Sequence, residues 1–335
     1  MKRSRWIVRA RGLATVVVAA AALTAACGSD GPPEKKAAEP GRAPEVSVEP
    51  AGESVEVAPL PQGIVYDDAT DQLAVAVREP FRLLILDPDT LETKRSVPLP
   101  GKVRHLQVSE PGGSVLVPVE SANQILEVSL DDGSVRATDV ERQPHDAAAS
   151  ANGDVLVGNE FSGSMSVVRE GRVIKTFDDL LQPGGVVTDG NTAAVIDVKD
   201  YSVTTYDIET MTRVDRISSG EGPTHGVILS GGRLAVADTR GGDVIIYDLD
   251  PLAEVGRITL GDRPYGITVD AETDTVWVTL ITSNELVGLD VSGDEPREID
   301  RYPTDRQADT VAVDRGSSTL WVTGTADGLI QRIER

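Results

Sequence analysis

From residue 61 to the end of the chain, apolar positions come in short runs separated by polar turns, and the runs recur in a fixed order. The opening runs are PQGIVY (61–66), VRHLQV (103–108), PHDAAA (144–149), PGGVVT (183–188), THGVIL (224–229), PYGITV (264–269) and ADTVAV (308–313). A Gly/Asp/Ser turn leads from each to a continuous apolar run, such as LAVAV (73–77), VLVGN (155–159) or LWVTG (320–324). A third run follows, as in DVIIYDL (243–249), and a more polar fourth closes the unit, as in RVDRISSG (213–220). Four Val/Ile/Thr-rich runs in each unit of about 40 residues predict the antiparallel blade of a β-propeller. Inner strands sandwiched between neighbouring sheets should be apolar on both faces, and an alternating fourth run predicts an outer strand with one wet side. The expected fold is therefore all-β: a seven-bladed β-propeller of four-stranded antiparallel blades over residues 54–335.

Closure follows from the ends of the pattern. The last unit stops at Arg335 after its third run, whereas SVEVAPLPQG (54–63) lines up with GRITLGDRPYG (256–266), a fourth run entering the next opening. Ser54–Ala58 is thus expected to be the outer strand of the last blade, an N-terminal strand closing the ring.

Upstream the pattern changes. Residues 1–11 carry Lys2, Arg3, Arg5, Arg9 and Arg11 without an acid, and the apolar run GLATVVVAAAALTAAC follows, ending at Cys27. A basic start, a short apolar run and small residues before the cut predict a signal peptide over residues 1–26. The run is shorter than the roughly 20 residues a spanning helix needs. LTAAC (23–27) resembles the lipobox of bacterial lipoproteins. That resemblance implies a lipid on Cys27, the only cysteine, and a place at the outer face of the cytoplasmic membrane or elsewhere in the cell envelope. Residues 27–53 are rich in Pro, Gly, Ala and Glu and lack aromatics, which predicts a flexible tether.

Charge narrows the partners. The chain has 32 basic and 54 acidic residues, net −22, and loss of the five basic residues named above takes it to −27. Such a surface excludes nucleic acid as a natural partner and disfavours anionic lipid. Aromatic residues make up only 4%, which disfavours a broad glycan-binding face. Trp277 and Trp321 hold the same place in VWVT and LWVT and are expected between blades rather than on a ligand platform. No nucleophile elbow, phosphate loop or CxxC pair is present.

The repeat resembles the YVTN-type propeller repeat, related to lactonase-like and NHL propellers, through Pro264, Gly266, Ile267, VWVT (276–279), SNELVGLDV (283–291), LWVTG (320–324) and DVIIYDLD (243–250). The resemblance implies a fold and leaves chemistry open, because one fold hosts many functions.

First strands line a propeller's central channel, so their starting residues face its mouth. Aligning the openings on the recurring glycine gives a ring of Gln62, Arg104, His145, Gly184, His225, Tyr265 and Asp309. Beneath it lie Gly63, His105, Asp146, Gly185, Gly226, Gly266 and Thr310. All three histidines of the chain fall in these two layers. A solvated structural ring is the plainest reading. A second is ligand binding by Arg104, His105, His145, Asp146, His225, Tyr265 and Asp309, with an envelope protein or a small molecule as partner. A third is a divalent metal held by His145 and His225 with Asp146 or Asp309, since imidazole and carboxylate together suit Zn²⁺ or Mn²⁺. Arg104-His105 and Asn159-Glu160 resemble elements of lactonase-type propellers, and PTHGVI (223–228) resembles an opening of streptogramin-lyase-like propellers. Both imply a metal-assisted lactonase or lyase as the alternative to a binding or scaffold module.

Overall fold

The structure, a computed structural model, describes residues 35–293, 295–317 and 319–335. The expected signal peptide and Cys27 lie outside the described residues. The described residues form seven four-stranded antiparallel sheets and no helix. Blade 1 runs Pro61–Asp67, Gln72–Arg78, Phe81–Leu86 and Thr93–Pro98, and five further blades follow in the same way. Innermost strands of consecutive blades touch all the way round, the last against the first.

Blade 7 is composite. Its strands Ala308–Val313, Leu320–Gly324 and Leu329–Ile333 are completed by Glu53–Glu56 from the other end of the chain. The closing strand begins one residue earlier than the sequence suggests, with Glu53 opposite Arg332 and Glu56 opposite Leu329. Gln331 pins this seam from inside. Fully buried, its amide donates to the carbonyls of Ala51 (2.7 Å) and Pro303 (3.0 Å), while its Oε1 accepts from the backbone N–H of Asp305 (3.1 Å).

The core is divided among the blade interfaces. Leu73 and Val75 of blade 1 pack on Trp321 and Ile330 of blade 7, and Trp277 of blade 6 packs on Val311 and Val322 of blade 7. Both tryptophans are inter-blade core, 0% and 2% exposed. Burial of apolar area here, at about 25 cal/mol per Å², is the main force holding the ring, which has no disulfide to rely on. Outer strands are more exposed than simple alternation predicts: Thr212–Ser218 has no buried position. Blades diverge radially, so the outer edge of each sheet has no neighbouring sheet to press against.

Residues 35–52, expected as part of a flexible tether, instead lie along the ring. Tyr201 Oη donates to the carbonyl of Lys36 (2.6 Å), and Arg240 donates to those of Lys36 (2.7 Å) and Ala37 (2.9 Å). Arg263 reaches the carbonyl of Glu39 (3.2 Å), Gln307 that of Gly41 (3.1 Å) and Asn284 that of Pro44 (3.1 Å). Ala43 is buried against Tyr265 and Ile281. The segment therefore walks as a strap from blade 4 through blades 5 and 6 to blade 7. Composition failed to foresee it because the ring grips backbone carbonyls, which no side-chain pattern reports.

Candidate functional site

Six of the seven innermost strands carry a register shift at their first residues, for example between Pro144 and Asp146 or between Pro223 and His225. A bulge re-aims the side chain it frees. Here it leaves a residue such as His145 or Thr224 out of the ladder at the entry of its blade. Blade 2 differs, because its innermost strand is only Gln107–Val108 and residues 103–106 stand off the ladder.

The shifts also correct the sequence alignment. Pro223 pairs with Asp238 as Pro183 pairs with Asp197, so Thr224, not His225, is the counterpart of Gly184 in the upper layer. His225 stands one layer deeper, level with His105. The error came from aligning on Gly226, when the proline is the true mark of the blade start.

Glycine in the deeper layer has a steric reason. A Cβ on Gly266 would lie 2.5 Å from the carbonyl oxygen of Asp309 and 2.9 Å from Thr310 Cα, both backbone atoms of the next blade. The innermost strands converge here, and this is the neck of the channel.

The three imidazoles meet at that neck. Ring centroids of His105 and His225 are 4.1 Å apart, those of His105 and His145 4.9 Å, and those of His145 and His225 6.0 Å. One ring nitrogen from each can be chosen so that all lie within 4.8 Å of one another. His105 Nε2 and both nitrogens of His225 are buried without a hydrogen-bond partner. His105 and His225 are pushed well below the usual histidine range, by burial above all and then by their cationic surroundings, so both are neutral. Tyr265 presents its ring edge-on to His225 at 4.8 Å, and burial drives its phenol pKa upward.

His145 is held from behind. Its Nδ1 is 3.2 Å from Glu120 Oε1 and 3.5 Å from Glu160 Oε2. Glu120 in turn meets Lys102 Nζ (2.6 Å) and Arg104 Nε (3.2 Å). Burial raises the Glu120 pKa, but the hydrogen bonds and charges of His145, Lys102 and Arg104 outweigh it and hold the group at about 2. Arg104 also reaches Glu39 of the strap (3.6 Å). Glu160 was marked only through the Asn159-Glu160 resemblance, and Glu120 was not marked at all. The signal was present, since both directly follow the second strands of adjacent blades, in SVLVPVE (114–120) and DVLVGNE (154–160).

Two expected members are engaged elsewhere. Asp146 accepts from the backbone N–H of Ala147 (2.9 Å) and Val186 (3.0 Å) and from Gln107 Nε2 (3.3 Å), tying three blades together. Burial raises its pKa to about 6 against those bonds. Its oxygens are committed, so the donor set shifts from His145, His225 and Asp146 to His105, His145 and His225. Asp309 accepts from Gln62 Nε2 (3.3 Å) and Gln307 Nε2 (2.8 Å), which hold it at the blade 7 side of the ring.

The neck separates two spaces. On the strap side a void of about 10 Å³ lies among Ala38, Glu39, Arg104, His145, Tyr265 and His225, room for about one water. On the other side a channel of about 350 Å³ runs between the innermost strands, with His105, Asp146 and His225 among the residues lining it.

No family model and no curated protein matches the sequence. Solved structures do match in shape. Hydrazine synthase from Kuenenia stuttgartiensis aligns with a TM-score of 0.73 at 16% identity, over 84% of this chain and 97% of that one. The β-propeller domain of Cps50 (Swd1) from Myceliophteria thermophila gives 0.71 at 14%, over 84% and 100%. A streptogramin B lyase gives 0.69 at 15%, over 86% and 97%. At such identities the likeness speaks for architecture alone, and it agrees with the sheet order: this chain is a seven-bladed β-propeller.

Proposed function

We propose that this chain is a binding module of the cell envelope, anchored through a lipid on Cys27, whose channel neck takes up one divalent transition metal on His105, His145 and His225. One observation carries the metal reading: three mutually facing imidazoles, two of them with buried, unpartnered ring nitrogens. A buried polar atom without a partner costs about 1–3 kcal/mol, and coordination would remove that cost. Neutral imidazole is the form that binds metal, and an all-nitrogen set suits Zn²⁺, Co²⁺, Ni²⁺ or Cu²⁺ better than Mg²⁺ or Ca²⁺. Glu120 behind His145 repeats the carboxylate–histidine pairing that orients a ligand imidazole. The lipobox resemblance and the YVTN-like repeat support the envelope setting.

The test is metal content and Co²⁺ titration of the full chain purified without a histidine tag. We expect one metal per chain, lost together with the cobalt absorption band in the His105→Ala/His225→Ala variant. Absence of stoichiometric metal, with no change in thermal midpoint on adding Zn²⁺ or chelator, would sink the proposal. A metal-assisted lactonase or lyase is the second reading, favoured by the channel that reaches His105 and His225. Lactone hydrolysis by the metal-loaded chain, abolished in the same variant, would decide for it.

A further inference from the structure

We infer that the strap-side mouth carries a site for a small carboxylate, gripped by the Nε and Nη2 edge of Arg78. The site is separate from the three imidazoles and does not depend on a metal at the neck. Arg78 is the last residue of the second strand of blade 1. Pro61 pairs with Val77 as Pro144 pairs with Asn159, so Arg78 is the blade 1 counterpart of Glu160, which lines the strap-side void. The groups that act on it electrostatically, Arg104, Glu120, Asp309 and Tyr265, all belong to the same mouth. None of the strap contacts named above falls on blade 1, so this side of the mouth stands outside the path of the cover.

Arg78 is half-buried, and its Nε and Nη2 are buried without a hydrogen-bond partner. Elsewhere in the chain this edge is the one that takes a carboxylate. Arg169, Arg257 and Arg301 hold both oxygens of Asp154, Glu254 and Glu298 through Nε and Nη2, at 2.7–3.0 Å. The carboxylates that act on Arg78 are engaged by other groups: Glu120 by Lys102, Arg104 and His145, and Asp309 by Gln62 and Gln307. Gln62 Oε1 is also buried without a partner, but one neutral oxygen does not answer two parallel donors. Burial and then the neighbouring Arg104 lower the Arg78 pKa, and a bound anion would offset both. A planar group with two oxygens and a single negative charge matches the fork. Beside Glu120 it also meets less repulsion than a doubly charged phosphate.

The test is a titration of the full chain, labelled with ¹⁵N-arginine and kept in chelator at constant ionic strength, with acetate, acetamide and phosphate. The arginine Nε–H signals are followed by NMR. The Arg78 signal, identified by its loss in Arg78→Lys, should shift saturably with acetate, not with acetamide, and only at higher concentration with phosphate. Arg78→Lys keeps the charge but not the fork, and should weaken acetate binding at least about tenfold in calorimetry. Arg78→Gln does the same service if the lysine variant fails to fold. An Arg78 signal that stays still in acetate, or that follows acetamide equally, overturns the site. Tighter binding of phosphate overturns the choice of a carboxylate. Undiminished acetate binding in either variant overturns Arg78 as the group that holds it.

Discussion

Replacing Gln331 by leucine asks how far the ring depends on its seam. Leucine keeps the volume and removes every polar contact of the side chain. The carbonyl of Pro303 retains the N–H of Ala51 at 2.9 Å, so it stays satisfied. The carbonyl of Ala51 and the N–H of Asp305 lose the Gln331 partners described above. Each buried group left unpaired costs about 1–3 kcal/mol, and the apolar gain of leucine returns part of it. We expect a net loss of about 2–4 kcal/mol. At about 2.1 cal/mol/K per residue, unfolding of the ring carries an entropy of about 0.6 kcal/mol/K, so the thermal midpoint should fall by about 3–7 °C. The assay is calorimetry of the wild-type chain beside Gln331→Leu and Gln124→Leu. Gln124 is a control from the third strand of blade 2, where its single bond to Asp139 is exposed. A Gln331→Leu midpoint within about 1 °C of wild type, or no lower than that of the control, would refute the account of the seam.

Three further expectations follow from other residues. Glu120→Gln should weaken metal binding by about 10–100-fold, read by competition with a chromophoric chelator, because His145 loses its charged orienting partner; an affinity within about threefold of wild type would show that the glutamate does not orient the ligand. Trp321 donates to the carbonyl of Pro88 (3.0 Å) while Trp277 Nε1 has no partner, so Trp321→Phe should cost about 1–2 kcal/mol more than Trp277→Phe in urea unfolding, and equal losses would contradict this. Burial holds the Asp309 pKa above the ordinary carboxylate range, so its contribution is complete below the unfolded value and is lost as pH rises through the folded one. Asp309→Asn mimics the protonated form, and its stability relative to wild type should therefore improve between acid and neutral pH; a flat difference would remove Asp309 from the pH dependence.

Blade architecture was legible because it depends on short-range alternation that repeats, and seven copies average out local noise. The closing strand was legible for the same reason, as a missing fourth run whose match stood at the other end. The neck was legible only in part. His105, His145 and His225 were drawn to one channel end by alignment, yet His225 was set a layer too high because Gly226 outweighed Pro223 in the comparison. A single-residue bulge moves a side chain from one layer to the next without leaving a trace in apolar periodicity. Asp146 was misassigned because residue type alone does not distinguish a carboxylate that caps a neighbouring N–H from one free to bind a ligand. Glu120 stands at the end of a second strand, outside the first-strand ring that the alignment defines, although second-strand ends share the same mouth.

The order of contacts along residues 35–56 has a mechanical consequence. Tension applied from the N-terminal side meets them one after another: the grips of Tyr201 and Arg240, then Arg263, then Gln307 and Asn284, and last the ladder of Glu53–Glu56 on Leu329–Ile333. The early contacts are separate groups of one to a few side-chain bonds, and each group yields on its own. The ladder is a row of backbone bonds backed by Gln331 and yields together. A pull would therefore peel the cover from the neck at low load while the seven blades remain locked, and only a larger load would open the ring.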